Sequence, residues 1–396
     1  MAYINFNEEK KVCINQLEKR KKNNENLFNE IMKDKKLAKD FTPYEKFSYK
    51  VFNGEFFGKK DIESEENFLI IENKDVVCTK FIDCKFYNVK FRNCKFIGNT
   101  FTRCNFGGGG VVFDNCTFIK EDTEKLPTLN KEDNFSTEFN ECSLYVKFIN
   151  CSIQFIIFEK CYLKDTTFEQ CNMSNGIIIN SELNMIIIKD TNLSGIKVMK
   201  SYIKDLEFRD LGTSKLDEKS FFDKIPIRKK DRNEYEGLYM VYQNIADKFK
   251  ENNLKNNFGE YYYICNNMKR KTLKPIPKIV SYLYWLSCGY GERPWYALIF
   301  SLILSFIFAI LYLFCGIEVD GYSIRYTIIT LKEISFSNFI KDFNEAINLS
   351  IGIFGGVGYN NAQPTEISYM VENIETVIGV VMMGVGIGCL TRKIVR

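Results

Sequence analysis

Apolar residues recur every five positions in the front half of this chain, at Phe81, Phe86, Phe91, Phe96, Phe101 and Phe106. The ladder resumes at Phe113 and Phe118, then at Phe139 and Leu144. From Ile153 it runs unbroken through Phe158, Leu163, Phe168, Met173, Ile178, Leu183, Ile188, Leu193, Val198 and Ile203 to Phe208. A five-residue period fits neither a helix nor a strand. It fits a four-sided coil with the apolar residue pointing inward. A second inward position lies two residues before many of these: Cys84, Cys94, Cys104, Cys116, Cys142, Cys151, Cys161 and Cys171, then Ser181, Thr191 and Ser201. Such coils are held by their neighbours, so several must stack.

Eight of the 14 cysteines occupy that small position, and they read as buried hydrophobes of suitable size. They lack paired C-x-x-C geometry and the chain has no histidine, so neither a metal site nor a disulfide framework is expected. Free thiols suit a reducing, cytoplasmic location. The frame slips at Gly107–Gly110 and again over 119–138, where the polar insert Glu121–Asn134 is expected to loop out. No Lys-Ser/Thr follows the four glycines and no helix begins there, so they read as a detour of the chain and not a phosphate cradle. The whole pattern, over about 81–210, resembles the pentapeptide-repeat family. That resemblance implies a right-handed quadrilateral β-helix.

The last third has a different composition. Pro294–Ile317 carries no charged residue, and its final 21 positions are long enough to cross a bilayer core of about 30 Å. A second uncharged run, Thr376–Thr391, ends at Arg392, Lys393 and Arg396, with Glu372 and Glu375 expected at the outer interface. Lys269, Arg270, Lys271, Lys274 and Lys278 precede the first run. Between the runs, 318–375 holds three basic and eight acidic residues. Positive charge flanking both runs on one side implies an integral membrane protein with both termini cytoplasmic, and the acidic segment would concentrate cations outside.

Between these runs lies Phe343–Asn361, FNEAINLSIGIFGGVGYNN. Its end can present successive backbone carbonyls to a dehydrating cation. Gly358 supplies a residue free to take positive φ, and Asn360 is among the side chains most tolerant of it. Residues 281–396 resemble the two-transmembrane potassium-channel family, and Cys288–Trp295 resembles the approach to the outer helix in a bacterial subgroup that joins such a pore to pentapeptide repeats. The resemblance implies an interfacial helix, an outer helix, a re-entrant pore helix, a filter at Gly355, Gly356, Val357, Gly358, Tyr359 and Asn360, and an inner helix. Gly289-Tyr290-Gly291 has no pore helix before it and reads as a turn. The family's Thr-Val-Gly-Tyr-Gly becomes Gly-Val-Gly-Tyr-Asn here, and Asn361 stands where the family has Asp. Loss of the Thr hydroxyl implies relaxed potassium selectivity. Gly379, Gly384, Gly386 and Gly388 soften the inner helix and are the expected gate, the alternative being that Gly384 and Gly388 form a small-xxx-small packing pair.

The segments expected are a helical N-terminal region over 1–67, the β-solenoid over 68–212, a helical hairpin linker over 213–280 with an aromatic face (Tyr235, Tyr239, Tyr242, Phe249), and the pore region over 281–396. Arg228, Lys229, Lys230 and Arg232 read as a solvated face with some affinity for anionic head groups. Without histidine, P-loop or dinucleotide fingerprint, catalysis has no support, and no cofactor is expected beyond permeating potassium or sodium ions. A net charge of +4 gives no reason to expect nucleic acid. The function expected is a homotetrameric cation channel in the lipid bilayer, gated by or through the cytoplasmic solenoid and a protein or small-molecule regulator. The alternative is a non-conducting, membrane-anchored scaffold whose solenoid binds a partner protein.

Overall fold

Two positions after most of the inward residues the backbone turns left-handed. Asp83, Asn88, Asn93, Asn115, Asn150, Asn180 and Asp190 all have φ close to +50°, and Gly98 and Gly195 take the same role. Asn, Asp and Gly tolerate that region best, but Arg103, Glu141, Phe155, Lys160, Gln170, Met185 and Lys200 take it too, so the stacked coils impose the corner even where the residue does not favour it. The computed structural model describes residues 4–33, 47–62, 64–119, 137–210, 212–327, 334–358 and 361–394. It divides into two units, Ala2–Thr272 and Leu273–Arg396.

The first unit is a β-solenoid. Corresponding sides of successive coils pair in parallel, Phe81 with Phe101 and Leu163 with Leu183. Two eight-stranded parallel sheets form its walls, the second bending round a left-handed corner (Asn88, Asp165, Met185) to cover two sides, and single bridges from Thr117 through Ser152, Asn172 and Asn192 to Lys215 line another side. Inside, equivalent side chains stack coil upon coil. Phe52, Phe81, Phe101, Phe139 and Phe158 form one column with ring centroids 4.7–5.3 Å apart. Phe91, Phe113, Phe148 and Phe168 form another at 5.1–5.3 Å. The inward cysteines are buried, and their thiols donate to carbonyls of the preceding coil, as Cys142 does to Phe101 O at 3.3 Å and Cys161 to Phe139 O at 3.2 Å. Burial pushes the Cys84 thiol up to about 11.

The solenoid starts earlier than 68. Val51–Asn53 already pairs with Lys80–Ile82, and Phe47, Phe52 and Phe57, five apart, pack into the same core. The glycine run is a detour, as its composition suggests. Tyr87 pairs with Gly107 and Val89 with Val111, which leaves Gly108–Gly110 opposite Asn88 alone. Gly108 and Gly110 take φ of 69° and 114°, and the Gly109 N–H donates to Asn88 Oδ1 at 2.6 Å. The insert Glu121–Asn134 lies outside the described residues.

Helix α1 (Phe6–Lys33) lies against one wall. Its Cys13 and Leu17 bury against Ile157, Ile177, Ile179 and Met199, which point outward from the coils. Arg20 Nη1 donates to Asn175 O at 2.7 Å, and Lys21 pairs with Glu159 at 2.6 Å and Glu138 at 3.2 Å. Lys10 pairs with Asp223 at 2.8 Å.

The other end of the solenoid is covered by a hairpin of α2 (Arg232–Glu251) and α3 (Lys255–Thr272). Asp231 caps α2 by accepting from the Glu234 N–H. Of the expected aromatic face, Tyr242 and Phe249 are fully buried. The Phe222 N–H donates to Tyr261 Oη and the Ile225 N–H to Tyr242 Oη, each at 2.7 Å. Asn244 Nδ2 donates to Leu206 O at 2.6 Å, satisfying part of the last exposed strand edge. Arg228 is tied down: it forks onto Glu182 and stacks over Tyr202, 3.7 Å from the ring centre. Lys248 and Asp210 form a buried pair at 2.6 Å. Burial works against the Asp210 charge, but hydrogen bonds from Lys248 and Ser214 hold its carboxyl below the usual aspartate range.

Phe101→Ala removes a ring stacked on both neighbouring coils and should cost about 3–5 kcal/mol, read as a lower denaturant midpoint. Because the Asp210 carboxyl is depressed on folding, its contribution is present above the ordinary aspartate pKa and lost as pH falls through the folded value. Acid unfolding followed by circular dichroism should therefore begin at higher pH in Lys248→Met, where Asp210 loses its partner, than in the wild type.

Candidate functional site

The second unit is helical. Lys274 precedes Pro275, whose ring suits the first helical position, and α4 runs over Pro275–Cys288. Gly289, left-handed at φ 53°, caps it. Gly289–Gly291 is a 3₁₀ turn with Tyr290 at φ 59°, the turn its sequence suggested. Pro294 then opens α5 (Pro294–Cys315). A three-stranded antiparallel sheet follows, with Ile317–Val319 between Tyr322–Ile324 and Ala362–Pro364. Ser335 caps α6 (Phe336–Gly355), and α7 spans Tyr369–Ile394.

Two helical segments are long and apolar enough to cross a membrane, Pro294–Cys315 and Glu366–Ile394. The helix at the second site is longer than its uncharged run, because Glu372, Glu375, Arg392 and Lys393 are helical too. Each helix buries only one strip. Phe308, Ala309, Tyr312 and Leu313 of α5 meet Ala346, Leu349 and Ile353 of α6, while Leu298, Leu302, Phe306, Val377, Val381 and Ile387 are exposed. A soluble core helix hides such side chains.

The segment after α6 is where the filter residues fall. Helix α6 ends in a Schellman motif, with the Gly356 N–H donating to Ile353 O and the Val357 N–H to Gly352 O, each at 3.1 Å. Gly356 is left-handed at φ 64° and Gly358 at φ 84°, and Val357 is exposed. The left-handed Gly356 is a conformation that a β-branched Thr avoids, so the missing Thr and the local turn go together. Gly355 is the last helical residue. Tyr359 and Asn360 lie outside the described residues. From Ala362 the chain returns into the three-stranded sheet.

The four glycines of α7 divide. A Cβ on Gly379 would stand 2.3 Å from Phe354 O, so the helix lies flush on the last turn of α6. A Cβ on Gly384 or Gly388 meets nothing within 4 Å, and one on Gly386 meets only Ala297 Cβ at 3.9 Å. Gly379 is thus a packing glycine within the chain, whereas Gly384 and Gly388 leave an open face.

Two acidic residues are placed unexpectedly. Glu375 is completely buried within the helical unit, because the packing of α6 against α5 and α7 closes over it. Glu292, just after the 3₁₀ turn, is also buried and pairs with Arg392 at 3.2 Å, joining the start of α5 to the end of α7. Only the charge on an otherwise apolar stretch hinted at either. Among the described residues no cluster of His, Cys, Asp or Glu could hold a metal ion.

The front unit can be compared with known proteins through its repeats. Residues 81–121 match the pentapeptide-repeat family model. That match covers the column of Phe81 to Phe118 and not the helical unit. Among solved structures, a trypsin-treated form of QnrB1, a plasmid-mediated fluoroquinolone resistance protein, is 16% identical over 45% of this chain and 74% of its own, with a TM-score of 0.19. A second trypsin-treated form is 18% identical over 45% and 75%, with a TM-score of 0.19, and full-length QnrB1 is 16% identical over 43% and 92%, with a TM-score of 0.16. No curated protein matches the chain.

Gly379→Ala should lower the melting temperature of the purified protein, at an overpacking cost of about 1–3 kcal/mol. Gly384→Ala and Gly388→Ala should leave the chain's own packing intact, so any loss in them should appear as altered subunit assembly in native mass measurements.

Proposed function

We propose that this chain is one subunit of a homotetrameric cation channel, potassium-permeable with relaxed selectivity, whose pentapeptide-repeat solenoid acts on gating. The observation that carries the reading is the helix α6 with its turn at Gly356–Gly358, framed by α5 and α7. The C-terminal end of α6 is the negative end of its dipole, the end that favours cations. Two left-handed glycines within three residues bend the following backbone so that successive carbonyls can share one face. One such loop supplies a quarter of a cation's coordination shell, so four copies are needed. The exposed apolar faces of α5 and α7 suit lipid and neighbouring subunits. In this reading the sheet of Ile317–Val319, Tyr322–Ile324 and Ala362–Pro364 is the extracellular rim, and both termini are cytoplasmic.

A second reading, a scaffold that does not conduct, is favoured by one observation. Outward-facing Ile157, Ile177 and Met199 already hold a helix, α1, on the solenoid wall, so such a wall can dock helices.

Purified protein reconstituted in planar bilayers, between opposed potassium and sodium solutions, separates the two. A cation-selective current with potassium only moderately preferred is expected, and Asn360→Gly should sharpen that preference. A tetramer by mass measurement that passes no cation current would leave the scaffold, and a stable monomer would remove the channel.

A further inference from the structure

Glu375 of α7 sits completely buried among three helices, and the proton count around it is informative. The Ser350 hydroxyl of α6 contacts both a Glu375 carboxyl oxygen and Ser305 O of α5, the latter at 2.9 Å. A serine hydroxyl has one proton to donate. The Ser305 carbonyl can only accept, so Ser350 satisfies both contacts when it donates to Ser305 and accepts from Glu375. In that arrangement Glu375 carries the proton. Its titratable neighbours are Tyr312 from α5 and Glu372 one turn earlier on α7, with Ser350 the polar group that α6 presents. Among the described residues no cation pairs with the carboxyl. A bare carboxylate there would have only hydroxyl groups and no cation to offset its desolvation, whereas a neutral carboxyl carries no charge to desolvate and donates to Ser350.

We propose that Glu375, as a neutral carboxylic acid, is the positioning residue that pins α6 to α5 and α7 and so holds the Gly356–Gly358 turn in place. Ser350 lies five residues before the end of α6 at Gly355. Movement of α6 there is passed directly to the turn. The consequence for conduction rests on the channel reading, whereas the hydrogen-bonded chain does not.

Infrared difference spectra of wild type and E375Q in bilayers test the chain whether or not the protein conducts. The wild type should show the carbonyl stretch of a protonated carboxylic acid, lost in E375Q. The amide of E375Q can donate to Ser350 as the acid does, so E375Q should keep the wild-type melting temperature and reversal potential. E375A and S350A should lose both. Absence of the acid band in the wild type, or E375Q failing as fully as E375A, would overturn the proposal. If wild-type bilayers pass no current, the channel reading falls, and the chain stands or falls on the acid band and the melting of E375Q against E375A.

Discussion

The solenoid depends on one repeated contact, an inward ring lying on the same ring of the next coil. Parallel strands sit about 4.8 Å apart, and the Phe81, Phe101 and Phe139 ring centres are separated by 4.7–4.8 Å. Coil spacing and ring spacing therefore coincide, and each side of the coil can shorten to three or so residues without losing its core. The price is borne at the corners, where the chain must turn left-handed; Asn, Asp and Gly meet it at many of them, while residues such as Arg103, Lys160 and Met185 are held there by the stack. The small inward position completes the section: Cys and Ser leave room for the rings and return their protons to the coil before.

A stack of this kind has two open ends and bare walls. Tyr261 hydrogen-bonds the last short strand, Phe221–Phe222, and Tyr242 the chain just after it at Ile225, so the helical hairpin closes one end with polar atoms matched to backbone groups. Helix α1 is a different device. It covers the wall where Ile157, Ile177, Ile179 and Met199 face outward, and ion pairs along its length set its register. The later coils replace Phe with Ile, Leu, Met and Val inside and show these apolar residues outside, so the strap falls where the wall is least polar.

The helical unit is organised by close approach instead of stacking. Gly379 lets α7 touch the Phe354 carbonyl, and Ser350 bridges Ser305 and Glu375. Both contacts fall in the last turn and a half of α6, the part that leads into Gly356–Gly358. The opposite end of the bundle is joined by Glu292 and Arg392. Helices that expose most of their apolar side chains thus keep their few buried polar groups for contacts with one another.

Much of the solenoid was legible because its period is short and local: one inward residue in five specifies a side, and the same five residues specify the corner. The early start at Val51 was hidden because Phe47, Phe52 and Phe57 stand apart from the main ladder, separated by an irregular stretch. Helix α5 was legible from its length and from Pro294, α6 only through the channel resemblance, and α7 only in its uncharged middle, because its first two turns carry Glu372 and Glu375. Tertiary structure alone decided that Glu375 is buried, that Gly379 differs from Gly384 and Gly388, and that α1 lies on the wall. Those outcomes depend on which face of a helix meets which neighbour, and a helix face gathers residues three and four apart whose partners lie far away in the chain. Local spacing can state what a coil must do, but burial of a single carboxyl is settled only when three helices close around it.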